Sequence, residues 1–172
     1  MNEAAVRQCR WIEPGGLDAA LRIGAFLQEI GIEVVTGPVG DSVLPGMTVR
    51  RGRICVDAVI PAYPGDLLHE AGHVAVSDPA TRDAIEAIEA DPGDEMAAIA
   101  WSVAAAHACG IPLETLFFDE GYRGGAVALR KAFTGRAAVG VPMLASFEMT
   151  AEPHRAEEWG VPAFPAMSRW LR

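Results

Sequence analysis

The chain has 172 residues, of which 51% are hydrophobic, and a formal net charge of -9. This length fits one domain, residues 1–172, that can bury a core without disulfides. Because phosphate binding needs concentrated positive charge, the acidic balance argues against a nucleic-acid partner. No apolar run is long enough to cross a bilayer, which argues against a membrane partner.

The three cysteines indicate the compartment. Cys9, Cys55 and Cys109 are odd in number and widely separated, and none belongs to a C-x-x-C pair. This pattern is typical neither of a disulfide framework nor of a cysteine zinc site. We therefore expect a reduced protein of the cytoplasm.

Hydrophobic periodicity and turn residues divide the chain into short elements. The first half predicts a helix, a strand, a β-hairpin, a strand and a second helix, over 17–30, 32–35, 47–57, 58–63 and 64–76. The second half predicts helices over 80–90, 92–109, 112–118 and 125–133. The segment 142–149 is ambiguous, and the Pro-rich tail from 151 onward contains aromatic residues that predict packing over the core.

The sequence His69-Glu70-Ala71-Gly72-His73 reads H-E-x-x-H within the helix that begins near Pro64. His69 and His73 are one turn apart, so both imidazoles lie on one face and can bind one zinc ion. Glu70 is then placed to act as general base on a metal-bound water. The alternative is that both histidines are hydrogen-bonded residues of a buried helix without a metal.

A zinc site of this kind usually has three protein ligands, and the third must come from elsewhere. Val76 and Pro79 occupy the positions where the extended pattern H-E-x-x-H-x-x-G-x-x-H needs Gly and His. Glu95, in the first turn of the 92–109 helix, is the best candidate. Asp94 and Asp91 compete with it, although Asp91 is better explained as the helix N-cap. An acid in a first helical turn is also favoured by the helix dipole alone.

The two motifs together resemble the zincin metallopeptidases of the gluzincin type, and among them the compact ImmA/IrrE-like bacterial family. In that family a hairpin leads into H-E-x-G-H, and a helix of the form E-x-x-A-x-x-F-A follows. The matching residues here are His69, Glu70, Gly72 and His73, followed by Glu95, Ala98, Trp101 and Ser102. Trp101 and Ser102 differ from the family pattern, and the likeness covers residues 47–109.

The resemblance implies an α+β, zincin-like fold in which a small antiparallel sheet packs against the H-E-x-x-H helix and a second, Glu-bearing helix. It also implies a zinc-dependent hydrolase that acts on a peptide or protein, with His69, His73 and Glu95 as ligands and Glu70 as catalytic base. The alternative function is a metal-binding or regulatory module on the same scaffold without peptidase turnover.

Hydrolysis also benefits from a donor to the developing oxyanion. Four side chains are candidates for this role: Tyr122, His107, His154 and Tyr63. For each of them a structural role is the simpler explanation, with Tyr122 as an anchor of its Gly-rich loop.

Overall fold

The computed structural model describes residues 1–87, 91–135 and 139–172 and contains helices with one small sheet, in agreement with the predicted α+β class. In chain order the elements are α1 (Asn2–Gln8), α2 (Gly16–Glu29), β1 (Val34–Thr36), β2 (Met47–Arg50), β3 (Arg53–Val56), α3 (Pro64–Val76), a 3₁₀ turn (Arg82–Ala84), α4 (Pro92–Cys109), α5 (Leu113–Leu116), a second 3₁₀ turn (Tyr122–Gly124), α6 (Ala126–Thr134), α7 (Val141–Ser146) and α8 (Ala156–Trp159). Of the helices in these described ranges, none combines the length and apolarity needed to cross a membrane.

The sheet has β3 at its centre, with β1 and β2 on its two sides. β2 and β3 form the predicted antiparallel hairpin, and its turn residues Arg51 and Gly52 have positive φ values of 52° and 68°. A type I′ turn requires this conformation at both central positions. β1 pairs with β3 in the parallel direction, so the prediction of an antiparallel sheet is wrong for one of the two pairings. Residues 37–52, which include β2, carry the chain back so that β3 starts at the same end as β1.

α3 corresponds to the helix predicted over 64–76, and it is buried. Each of its residues except His69 is buried, and it packs against α2, α4 and the sheet. Its contact with α4 is close: a Cβ atom added at Gly72 would lie 2.6 Å from the carbonyl oxygen of Ala98. At the same place the Ser102 hydroxyl is 3.1 Å from the Leu68 carbonyl oxygen and 2.7 Å from that of Ala98. A small residue and a bridging hydroxyl therefore hold the two helices together.

The C-terminal segment packs over the core, as its aromatic residues predict. The indole of Trp101 in α4 donates to the carbonyl oxygen of Trp170 at 2.9 Å. The Trp170 ring contacts Phe26 and Trp101, with centroid distances of 4.8 and 5.7 Å. The backbone N–H of Arg172 then donates to Ala75 of α3 at 2.9 Å. The C-terminal segment thus contacts both α3 and α4.

The helix predicted over 80–90 is wrong for residues 80–87, where the structure has only the 3₁₀ turn at Arg82–Ala84. Ile85 is the one large apolar residue there, and a helix with so little apolar surface gains little from packing. The Arg82 guanidinium instead donates to the carbonyl groups of Val74 and Ser77, at 2.9 and 3.0 Å, and so caps the end of α3. Ile88, the second apolar position of that prediction, lies outside the described residues.

The strand predicted over 58–63 is also wrong. Residues 58–63 form no strand in the structure, and their β-type pairing is limited to one isolated parallel bridge between Ala62 and Trp11. The remaining helix predictions correspond to α2, α4, α5 and α6, with bounds that differ by at most two residues.

Candidate metal centre

The polar residues of α3 form one stripe on an otherwise apolar helix. Asp66, His69, Glu70 and His73 stand at positions i, i+3, i+4 and i+7, which share one helix face. The helix begins with Pro64 at its first position, where the missing N–H of proline costs nothing. Burial of this face means that each polar group needs a partner or a ligand.

α4 supplies the opposite side of the site. Its N-cap is Asp91, whose carboxylate accepts from the backbone N–H groups of Gly93 and Asp94 at 2.7 and 2.9 Å. This confirms the predicted capping role of Asp91. The cap fixes the first turn, in which Glu95 extends towards α3 with its side chain 42% exposed.

The structure brings the three predicted ligands together. The two Nε2 atoms of His69 and His73 are 3.2 Å apart. The Glu95 carboxylate lies 3.5 Å from Nε2 of His69 and 3.2 Å from Nε2 of His73. Ligand atoms bound to zinc at about 2.0–2.1 Å with tetrahedral angles are roughly 3.3 Å apart. The observed separations therefore fit a zinc ion, and in the described ranges these three residues form the one group of this kind.

The protonation states of the ligands also suit a metal. Burial, and then the neighbouring His73, lower the pKa of His69 well below its usual range, while Glu95 opposes this effect. The hydrogen bond from His73 lowers the pKa of the Glu95 carboxyl. At neutral pH the His69 imidazole is therefore neutral and the Glu95 carboxyl ionised, which are the forms that bind a metal.

Glu70 and Asp66 occupy the same stripe outside the ligand group. Burial raises the pKa of Glu70 to about 7, and Glu95 adds to this shift while His73 opposes it. Burial and the Glu70 carboxylate raise the pKa of Asp66 to about 7. Asp66 is not among the site residues that the sequence analysis predicts, although its spacing of four residues from Glu70 places both carboxyls on one helix face. Asp94, the other acid considered as ligand, is not part of the group.

Of the four candidate oxyanion donors, Tyr122 is the one brought against a ligand. Its ring meets that of His69 edge to face, with the centroids 5.3 Å apart. Tyr63 stacks on Phe118 at 3.6 Å. His107 and His154 lie away from the site and line a separate cavity of about 800 Å³ together with Glu152 and apolar residues.

Comparison of the chain with profiles of known protein families, with curated proteins and with solved structures finds no match. The assignment of the site therefore depends on its own geometry.

Proposed function

We propose that this protein is a zinc-dependent hydrolase of the zincin type, and that its substrates are peptides or proteins. One observation carries the proposal: three ligand atoms from His69, His73 and Glu95 converge at the separations that a tetrahedral zinc site needs. The free cysteines support a place in the reducing cytoplasm.

The ligand set itself favours zinc. Two imidazoles and one carboxylate leave a position open on a four-coordinate ion, which distinguishes catalytic from structural zinc sites. When bound, zinc supplies Lewis-acid chemistry, because it polarises a carbonyl and lowers the pKa of water.

Glu70 supplies the proton transfer. It follows His69 directly, is 8% exposed and is not a member of the ligand group. A buried carboxylate next to a ligand can take a proton from the attacking water and return it to the leaving amine. Burial of Glu70 therefore lowers the stability of the fold but serves the proposed proton transfer.

The test combines metal analysis with one conservative substitution. The purified protein should contain close to one zinc per chain, and a peptide-library screen should identify a cleaved substrate whose hydrolysis a chelator stops. Glu70→Gln should keep the zinc and the fold and lower hydrolysis by about a hundredfold to ten-thousandfold.

Three outcomes oppose the proposal in different ways. If the wild-type protein contains no bound metal, the proposed zinc site is wrong. If wild type and Glu70→Gln turn over the substrate equally, the proposed role of Glu70 is wrong. Stoichiometric zinc with no hydrolysis across the library supports the alternative of a metal-binding or regulatory module instead.

A further inference from the structure

Two buried side-chain polar atoms in the described part of the chain have no hydrogen-bond partner: Nδ1 of His69 and the hydroxyl oxygen of Tyr122. A buried donor or acceptor without a partner destabilises the fold, so such atoms are uncommon in folded proteins. Both atoms belong to rings that touch each other, with centroids 5.3 Å apart and planes inclined by 74°. Two separate packing defects are a poor explanation for atoms on adjacent rings.

The two atoms are also chemically complementary. Nε2 of His69 faces His73 and Glu95, at 3.2 and 3.5 Å, and must present a lone pair to bind a metal. The ring proton then resides on Nδ1, which becomes a donor in need of an acceptor. A phenol oxygen is such an acceptor, directly or through one bridging water.

The loop that carries Tyr122 is held in an unfavourable conformation. Tyr122 and Arg123 have φ values of 54° and 52°, in the left-handed region that non-glycine residues avoid. Residues in this conformation are strained and persist where the surroundings determine them. Here the Tyr122 ring is fixed between Phe117, at a centroid distance of 5.0 Å, and His69.

We infer that Tyr122 is a positioning residue for His69: its hydroxyl oxygen accepts the Nδ1–H of the imidazole and so directs Nε2 towards His73 and Glu95. Partners of this kind fix the tautomer and the ring orientation of a metal-binding histidine. The inference deepens the proposed metal site and rests on it for the tautomer of His69 and for the effect on metal affinity.

The test uses Tyr122→Phe, which keeps the ring and the loop, with Tyr63→Phe as the matched control. Tyr63 is also aromatic and near the start of α3, but its ring stacks on Phe118 and not on a histidine. Zinc affinity, measured by competition with a chelator, should fall by about 10–100-fold in Tyr122→Phe and stay unchanged in Tyr63→Phe.

The second measurement does not need the metal. In ¹⁵N spectra of the imidazole groups of metal-free protein, the His69 Nδ1 resonance should move in Tyr122→Phe and stay in place in Tyr63→Phe. An unmoved resonance with unchanged zinc affinity overturns the inference. A wild type that binds no zinc would defeat the proposed function, while the spectra would still decide the role of Tyr122.

Discussion

The two ends of α4 carry similar residues in different surroundings. At its first turn, Glu95 meets His69 and His73 so closely that the three ligand atoms all lie within 4.8 Å of one another. At its last turns, the exposed His107 lines an open cavity with Glu152 and His154. Each end therefore has two histidines and one glutamate, yet one of them forms a compact ligand group.

The difference lies in what faces each end. The ligands at the first turn come from two helices that Gly72 and Ser102 hold at close range. At the other end, Glu152 and His154 belong to an irregular segment that begins after α7. Sites on rigid elements are held more accurately than sites on loops. The comparison teaches that a ligand set depends on the packing of its supporting elements as much as on residue type.

The largest expected effect comes from removing the histidines at each end. The double variant His69→Ala/His73→Ala should fall from about one zinc per chain to none, because a single carboxylate does not hold the ion. His107→Ala/His154→Ala makes the same chemical change at the other end and should retain the metal. Elemental analysis of both proteins decides the matter, and metal lost from the second pair would reverse the assignment.

Glu95 should show the next largest effect. Glu95→Gln keeps the shape of the side chain but removes its charge, and zinc affinity should fall by at least the roughly 10–100-fold that is seen when outer partners are lost. Asp94→Asn, one position earlier, should change it little. Chelator competition measures both, and the opposite order would mean that the ligand is misassigned by one residue.

Asp66 predicts a pH dependence of stability in the metal-free protein. Its pKa rises from an ordinary value of 3.8 to about 7 in the folded state, so folding favours the protonated carboxyl. Stability is therefore lost as the pH rises from about 4 to about 7, by at most about 4 kcal/mol. Asp66→Asn should remove this contribution, leaving the loss that Glu70 causes through its own raised pKa, and should be the more stable protein at pH 8 but not at pH 3.

Urea unfolding across this pH range measures the effect. Glu152→Gln, at the open end of α4, is the control and should follow the wild type. Parallel pH profiles for wild type and Asp66→Asn would contradict the burial of an ionisable carboxyl on α3.

The smallest effect tests the helix contact directly. Gly72→Ala places a Cβ 2.6 Å from the Ala98 carbonyl oxygen, so α3 and α4 must separate. We expect a loss of about 1–3 kcal/mol in the free energy of unfolding together with weaker zinc binding. Ala75→Gly, on the same helix, should cost about 1 kcal/mol through helix propensity but leave the metal affinity unchanged. Equal metal affinity in Gly72→Ala and Ala75→Gly would show that zinc binding does not depend on the spacing between α3 and α4.

The candidate site was largely readable from local spacing. The histidines one turn apart, the acid between them and the Asp91-Pro92 helix start are signals within a few residues, and α3 and α4 convert them into the observed group. What sequence reasoning missed depends on contacts between distant residues. Tyr122 contacts His69, which lies 53 positions earlier in the sequence, and no periodicity in the sequence predicts this contact.

The fold was predictable to a similar extent. The hairpin follows from its turn residues, whereas the parallel pairing of β1 depends on where the intervening chain crosses the sheet. One device behind that pairing is Asn2, whose side chain donates to the Ile32 carbonyl and accepts from the Val34 N–H, at 2.9 and 3.0 Å. A hydrogen bond between residues 30 positions apart produces no local sequence pattern from which it could be predicted.

The C-terminal segment spans the two halves of the ligand group. The Trp170 carbonyl is bonded to α4 and the Arg172 N–H to α3, at 2.9 Å each. Between them, two hydrogen bonds connect the helix of the histidines to the helix of the glutamate. We therefore expect zinc affinity to depend on how firmly residues 170–172 are docked. A purification tag attached there should change the zinc affinity although it does not contact the metal site.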